Sequence, residues 1–336
     1  MKLIQYHLPD QGKRVGIVTR EEEIVDVTTE ESSTVLDLLK LSIEEGVSLG
    51  VILADIQEQV SFRNSSSIES RVLASGRGSP VGAIREEREM STEGVPINKN
   101  GKLKLLHLDN PPDPDLPHIL PPIDPPEVWA FGVTYKRSAD MRDDDSASDI
   151  YSKVYFSDRP ELFFKATADR CVGSGGSIAI RSDSTFTATE PELAYILGRD
   201  GEIIGYTLCN DVSAWDIERE NPLYLPQSKI YTGCCALGPM LVTVSEVDDP
   251  YNLDIKCRVI RDDKLIFRGE VNTSQINWKF EQLTECLIRH NPVPIGTVVS
   301  TGTGIITPAD LPLAAGDIVQ IEINEFGTLS NPVIQL

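Results

Sequence analysis

Residues 185 to 216 read Thr-Phe-Thr-Ala-Thr-Glu-Pro-Glu-Leu-Ala-Tyr-Ile-Leu-Gly-Arg-Asp-Gly-Glu-Ile-Ile-Gly-Tyr-Thr-Leu-Cys-Asn-Asp-Val-Ser-Ala-Trp-Asp. Two β-prone runs flank Asp200-Gly201, a strong hairpin dipeptide. With those two residues as the loop, Glu190 lies opposite Asp211 and Glu192 opposite Cys209. Directly opposed residues share a face, and alternate residues along a strand share it too. Glu190, Glu192 and Asp211 therefore project together, beside small neighbours (Ala194, Cys209, Thr207, Gly205) that leave room for a ligand. Leu193, Tyr195 and Leu197 take the other face for a core. A three-residue loop would slip the register and send Asp211 to the far side. Pro191 removes a ladder donor and places this strand end at an edge or mouth.

Three crowded carboxylates repel one another, and their pKa values rise unless a cation neutralises them. An all-oxygen set suits Mg²⁺, Mn²⁺ or Ca²⁺ better than Zn²⁺. The expected metal ligands are thus Glu190, Glu192 and Asp211.

The remaining composition excludes several classes. The chain has 336 residues with 31 Lys plus Arg against 52 Asp plus Glu, a formal charge of −21. Nucleic acid and anionic membrane need clustered cations on the protein, so neither is an expected partner. Six cysteines occur without a C-x-x-C spacing, and there are four histidines, which argues against a zinc ribbon or a disulfide framework. No apolar run reaches membrane-spanning length and the first residues lack an apolar signal core. The expected setting is reduced and cytoplasmic.

In chain order, Lys2 to His7, Arg14 to Thr19 and Glu23 to Val27 read as strands, and Thr34 to Gln59 has helical spacing interrupted near Gly46. Residues 1–107 form an expected small α+β domain, with 61–100 irregular or mobile and carrying no identifiable chemistry. Eight prolines between Leu108 and Pro126 make 108–128 a semi-rigid linker. Residues 129–336 form the second domain. It reads as strand after strand (Glu161 to Lys165, Ser177 to Ile180, Met240 to Thr243, Leu253 to Arg261, Lys264 to Val271, Val298 to Ser300, Ile318 to Ile323), with hairpin turns at Asp262-Asp263 and Gly316-Asp317 and one clear helix, Phe280 to His290. The fold class is α+β, mainly β, with a largely antiparallel, barrel-like or rolled second domain.

Several motifs of this half, in order, resemble the fumarylacetoacetate hydrolase superfamily: Phe131-Gly132-Val133-Thr134-Tyr135, Glu161-Leu162-Phe163-Phe164-Lys165, Glu190-Pro191-Glu192-Leu193, Asn210-Asp211-Val212-Ser213-Ala214, Lys229, Leu237-Gly238-Pro239, Thr301-Gly302-Thr303 and Gly316-Asp317. The resemblance implies a mixed β-sandwich roll, a divalent metal, 2-oxo or 1,3-dicarbonyl acids as substrates and a homodimer or higher homo-oligomer. It also places the family's metal ligands on the same three acids and its active-site lysine on Lys229. Hydrolases of the family carry His and Glu three and six residues after the tyrosine that Tyr135 matches. Here Ser138 and Met141 stand there, so hydrolysis lacks its base. The strings Arg159 to Thr167 and Glu220 to Tyr231 look like the branch of 2-keto-3-deoxy sugar acid dehydratases.

That resemblance implies a hydro-lyase acting on a 2-dehydro-3-deoxy-pentonate, such as the D-arabinonate form, giving 2,5-dioxopentanoate through a metal-stabilised enolate. Lys229 and Glu161 are the expected acid and base, with the assignment between them open. Lys165 either orients the substrate carboxylate or is a structural lysine. Arg142, or Arg137, is a second candidate for that carboxylate. Ser138, in the histidine's place, is a candidate partner of a sugar hydroxyl. Thr303 and Thr328, in Gly-flanked loops, are candidate donors to the substrate. The alternatives are a hydrolase or decarboxylase of an acylpyruvate, oxaloacetate or other β-dicarbonyl acid, and a non-catalytic sugar-acid-binding protein.

Overall fold

The structure, a computed structural model, describes residues 1–59, 103–146 and 149–336. The stretch expected to be irregular, 61–100, lies outside the described residues. An eleven-stranded sheet and a five-stranded sheet carry the molecule. The quoted stretch supplies two interior strands of the larger sheet, Pro191–Leu197 and Ile203–Asp211. Leu193, Tyr195 and Leu197 face a core shared with Ile255, Cys257, Val319 and Ile321 of the smaller sheet. This gives the expected mainly β, α+β architecture of two sheets packed over one apolar layer.

The second face differs from the sequence expectation. Ala194, Ile196 and Cys209 join a second core with Leu3, Val15, Val35, Leu38 and Leu53. Those last residues come from the strands Lys2–Leu8 and Gly12–Val18, the helix Val35–Glu44 and a helix over 49–59. The small side chains accept packing from the N-terminal segment, so space for a ligand is confined to the Glu190 end. Thr34 caps the first of these helices in a reciprocal pair with Asp37, which satisfies donors that would otherwise be orphaned. The strand Lys2–Leu8 pairs with Cys235–Thr243, so the N-terminal strands continue the larger sheet.

Further adjustments follow from pairing that a single sequence does not show. Inside the proline-rich segment, His118–Leu120 forms a strand against Lys2–Leu8. Gly316-Asp317 is not a hairpin turn: it leads into Ile318–Ile323, which pairs with Asp254–Arg261 and with Gly327–Gln335. Asp317 is buried and takes two bonds from Arg261, at 2.7 and 2.8 Å. Asp262 and Asp263 have φ of 49° and 59°, the left-handed pair that a tight hairpin requires.

Candidate active site

The turn that sets the register is more elaborate than a plain two-residue loop. Asp200 and Gly201 both have positive φ, 55° and 81°, and Glu202 N–H donates to Arg199 C=O at 3.0 Å. Beyond the turn, Leu197 pairs with Ile203, one residue out of step, and at Ile196 with Gly205 the pairing returns to the expected register. The extra Gly198 on one strand is compensated by an extra Ile204 on the other. A side chain at Gly198 would meet Ile204 Cγ2 at 2.8 Å, so the double bulge needs glycine there. Glu192 consequently lies opposite Cys209, and Asp211 N–H donates to Glu190 C=O at 3.0 Å.

Glu190, Glu192 and Asp211 are buried and offer oxygen atoms within 4.8 Å of one another. The strand is not an edge, being flanked also by Val298–Ser300, but that pairing begins at Ala194. Pro191 thus lies beyond the last pair, where its missing donor costs nothing. Thr303 Oγ1 donates to Pro191 C=O at 2.8 Å. Ser300 Oγ and Gly302 N–H donate to Glu192 Oε2 at 2.5 and 2.8 Å. Gly302 has φ of 89°, and a Cβ there would sit 2.2 Å from Thr134 Oγ1; only glycine brings its N–H to that oxygen.

Cations interleave the acids. Lys229 Nζ lies 3.0 Å from Glu190 Oε1, 3.1 Å from Asp211 Oδ2 and 3.9 Å from Glu218 Oε2, and donates to Ser213 Oγ at 2.7 Å. Lys165 Nζ touches Asp211 Oδ1 at 2.5 Å and donates to the carbonyls of Val212 and Lys229 at 2.9 and 2.7 Å. Its three protons have three acceptors within the protein. Arg142 reaches Glu218 at 2.9 Å, Glu190 at 3.6 Å and Glu161 at 3.8 Å. Trp215 Nε1 donates to Glu190 Oε1 at 2.6 Å, its ring stacked on Phe186.

Burial works against the charge on Lys229, yet Asp211, Glu190 and Glu218 outweigh it and raise its pKa. The same balance, led by Asp211, raises Lys165. Burial opposes ionisation of Asp211 too, and the two lysines overcome it and lower its pKa. Burial pushes Glu192 well up, with Asp211 and Glu190 adding to it. Burial also raises Glu161, against the pull of Arg142. Lys229 is thus an ammonium here, not the depressed lysine that desolvation alone would give. Among the described residues, five carboxylates (Glu161, Glu190, Glu192, Asp211, Glu218) face three cations (Lys165, Lys229, Arg142) in this linked cluster, a formal excess of two negative charges. A hard divalent cation fits both the oxygen donors and the charge.

The other expected residues divide. Glu161 sits on the strand Glu161–Ala166 opposite Gly132, and its Oε2 is buried without a hydrogen-bond partner. Ser138 is buried on the helix Lys136–Ser146, which also brings Arg142 to the acids. Arg137 is exposed on that helix. Thr328 is not in a loop: it is exposed on the strand Gly327–Gln335 opposite Glu322, in the smaller sheet. Glu218, Trp215 and Ser300 were not singled out from the sequence, because their roles arise from contacts across the fold. A cavity of about 440 Å³, lined by Tyr151, Arg159, Glu161, Leu162, Glu218 and Pro222, opens on this cluster. A second, smaller one is lined by Met141, Arg142, Tyr151, Trp215, Glu218 and Arg219.

Residues 127–334 match the model of the fumarylacetoacetate (FAA) hydrolase C-terminal family. The chain is 50% identical over 220 residues, 64% of its length and 74% of the relative's, to the 2-dehydro-3-deoxy-D-arabinonate dehydratase of Saccharolobus solfataricus. It is 46% identical over 217 residues, 64% of its length and 75% of the relative's, to a probable 2-keto-3-deoxyxylonate dehydratase of Haloferax volcanii. A solved structure of 2-keto-3-deoxy-D-arabinonate dehydratase complexed with magnesium and 2,5-dioxopentanoate superposes with a TM-score of 0.72 at 36% identity, covering 100% of this chain and 99% of that one.

Proposed function

The chain belongs to the fumarylacetoacetate hydrolase family, and from that membership we propose that it is a metal-dependent dehydratase of a 2-keto-3-deoxy-pentonate. It is a lyase: water leaves the substrate and 2,5-dioxopentanoate results, the compound bound by the related dehydratase. The observation that carries this reading is the buried trio Glu190, Glu192 and Asp211 with Lys229 Nζ at 3.0 Å, in a site where Ser138 and Met141 replace the hydrolases' His and Glu.

Glu190, Glu192 and Asp211 would hold Mg²⁺, the ion present in the related structure. Such an ion would supply Lewis-acid polarisation of the C2 carbonyl and would offset carboxylate charge that otherwise keeps Lys229 protonated. Lys229, on the trio's flank, accepts the C3 proton. Glu161, raised by burial, is the acid that protonates the departing C4 hydroxyl. Lys165 serves as a positioning residue for Asp211 and for the Lys229 backbone, and Thr303 steadies the Glu190–Glu192 segment through Pro191. Arg142 and Ser138 remain candidates for substrate contact; the exposure of Thr328 speaks against one in the isolated chain.

The reading also places the chemistry within residues 129–336, joined by the 108–128 linker to a 1–107 unit, of which residues between Leu3 and Ile56 pack on the sheet's small-residue face. It includes a cytoplasmic homodimer or higher homo-oligomer engaged in pentose catabolism. Among the described residues no helix is long and apolar enough to cross a membrane.

Purified protein incubated with Mg²⁺ and 2-keto-3-deoxy-D-arabinonate is expected to release an aldehyde product, and Lys229→Ala to lower kcat by about 10² to 10⁴. Cleavage of an acylpyruvate or oxaloacetate with the pentonate untouched would overturn the assignment.

A further inference from the structure

This inference rests on the dehydratase reading and follows its carbon atoms further. Loss of the C3 proton and the C4 hydroxyl leaves the enone HOCH₂–CH=CH–CO–COO⁻ and one water. The aldehyde OHC–CH₂–CH₂–CO–COO⁻ is an isomer of that enone. Reaching it requires a hydrogen to leave C5, one to arrive at C3 and one at C4, and the C5 hydroxyl proton to depart. Lys229 and Glu161 account for the C3 proton and the C4 hydroxyl. The C5 hydrogen has no acceptor among them.

We propose that Glu218 is the second base of the reaction, taking the C5 proton on Oε2. The C5–H electron pair becomes the C4=C5 bond, the C3=C4 pair moves to C2–C3, and the C2 oxygen takes the charge. Lys229, carrying the proton first removed from C3, returns one there. The remaining enol, HO–CH=CH–, ketonises to the aldehyde by gaining a proton at C4 and losing one from oxygen. The proton held by Glu218 replaces, through solvent in the shared cavity, the one Glu161 gave to the hydroxyl.

Three observations place Glu218 in this role. Its Oε1 is gripped by Arg142 at 2.9 Å, while its Oε2 is buried with no hydrogen-bond partner, in a residue only 5% exposed. A buried carboxylate oxygen without a hydrogen bond is costly, and such an atom calls for a partner that a bound substrate can supply. Glu218 also lines both cavities, next to Tyr151 in each. Finally, Lys229 Nζ is within reach of both: oxygens of Glu190 and Asp211 lie at 3.0 and 3.1 Å from it and Glu218 Oε2 at 3.9 Å. A substrate bound to the trio by its keto-acid end and passing C3 by Lys229 extends C5 toward Glu218. Glu161, the other carboxylate among the described residues with a buried oxygen that lacks a hydrogen bond, is pushed toward its protonated form by burial, which suits an acid and not this base.

The test uses the Mg²⁺-loaded protein with 2-keto-3-deoxy-D-arabinonate, following enone absorbance, aldehyde formation and C3 exchange in D₂O. Glu218→Gln is expected to accumulate the enone and to slow aldehyde formation about 10²-fold or more relative to C3 exchange in the same variant. In wild type, substrate deuterated at C5 should give aldehyde more slowly without slowing C3 exchange. Glu218→Asp retains the carboxylate but draws it back; it should slow aldehyde formation relative to exchange, and it serves if Glu218→Gln does not fold. Aldehyde at the wild-type rate in Glu218→Gln, or equal loss of exchange and aldehyde in both variants, overturns the proposal. A wild-type protein that leaves the pentonate unconsumed overturns the dehydratase reading and this proposal together.

Discussion

Glu161 owes its position to the residue it faces. A Cβ on Gly132 would lie 1.9 Å from Glu161 Oε2, so any larger residue there displaces the carboxyl. Burial raises its pKa, and a carboxyl raised on folding binds more protons in the native state than in the unfolded one. Its contribution is therefore most favourable at or below its unfolded pKa of about 4.3 and declines as pH climbs through the folded value. Glu161→Gln should flatten that part of the stability profile. Urea midpoints at pH 4.5, 6 and 8 check it, and an unchanged slope would show that another group titrates. The acids and Lys229 stand out in the sequence because their residue types announce chemistry. Ser300, Gly302 and Trp215, which aim Glu192 and Glu190, do not, since an ordinary serine, glycine or tryptophan gains its task only from what lies across the fold.

The hairpin is the element on which the site depends, and its register was legible for a physical reason. Alternation of Leu193, Tyr195 and Leu197 with Glu192, Ala194 and Ile196 assigns each face, and a one-residue slip would bury acids in the apolar layer. The compensating bulges at Gly198 and Ile204 were not legible, because their effects cancel before the acids are reached. Gly198→Val, driving a side chain into Ile204, should cost about 1–3 kcal/mol and weaken Mg²⁺ binding, because Asp211 would lose its place opposite Glu190. Parallel urea melts and Mg²⁺ titrations test this; a variant with wild-type affinity would mean that the turn does not hold the register. The Gly316-Asp317 misreading has a similar origin: a turn dipeptide marks a bend, while the partner strand is chosen by packing.

For the whole molecule, a cation bound only by the folded state must raise its stability by mass action. With free Mg²⁺ at a hundredfold excess over Kd, chelator-treated protein should gain about 2.7 kcal/mol. Glu192→Gln should remove most of that gain. Thermal melts at several Mg²⁺ concentrations measure it, and a Tm indifferent to Mg²⁺, Mn²⁺ and Ca²⁺ alike would dissociate the trio from metal binding. The two cores meet on opposite faces of the same hairpin, so melting of the N-terminal cover and loss of the metal site are expected to be linked.

The sequence by itself determined the strand pair, the sharing of one face by Glu190, Glu192 and Asp211 and the apolar layer behind them, because strand alternation and turn chemistry act over neighbouring residues. Only the tertiary structure decided that the small-residue face would be covered by N-terminal helices, that Lys165 would be fully satisfied inside the protein, and that Glu218 would reach the cavity with an oxygen to spare. Those outcomes are set by the distances between segments far apart in the chain, on which Lys229 is held charged by three acids despite being buried.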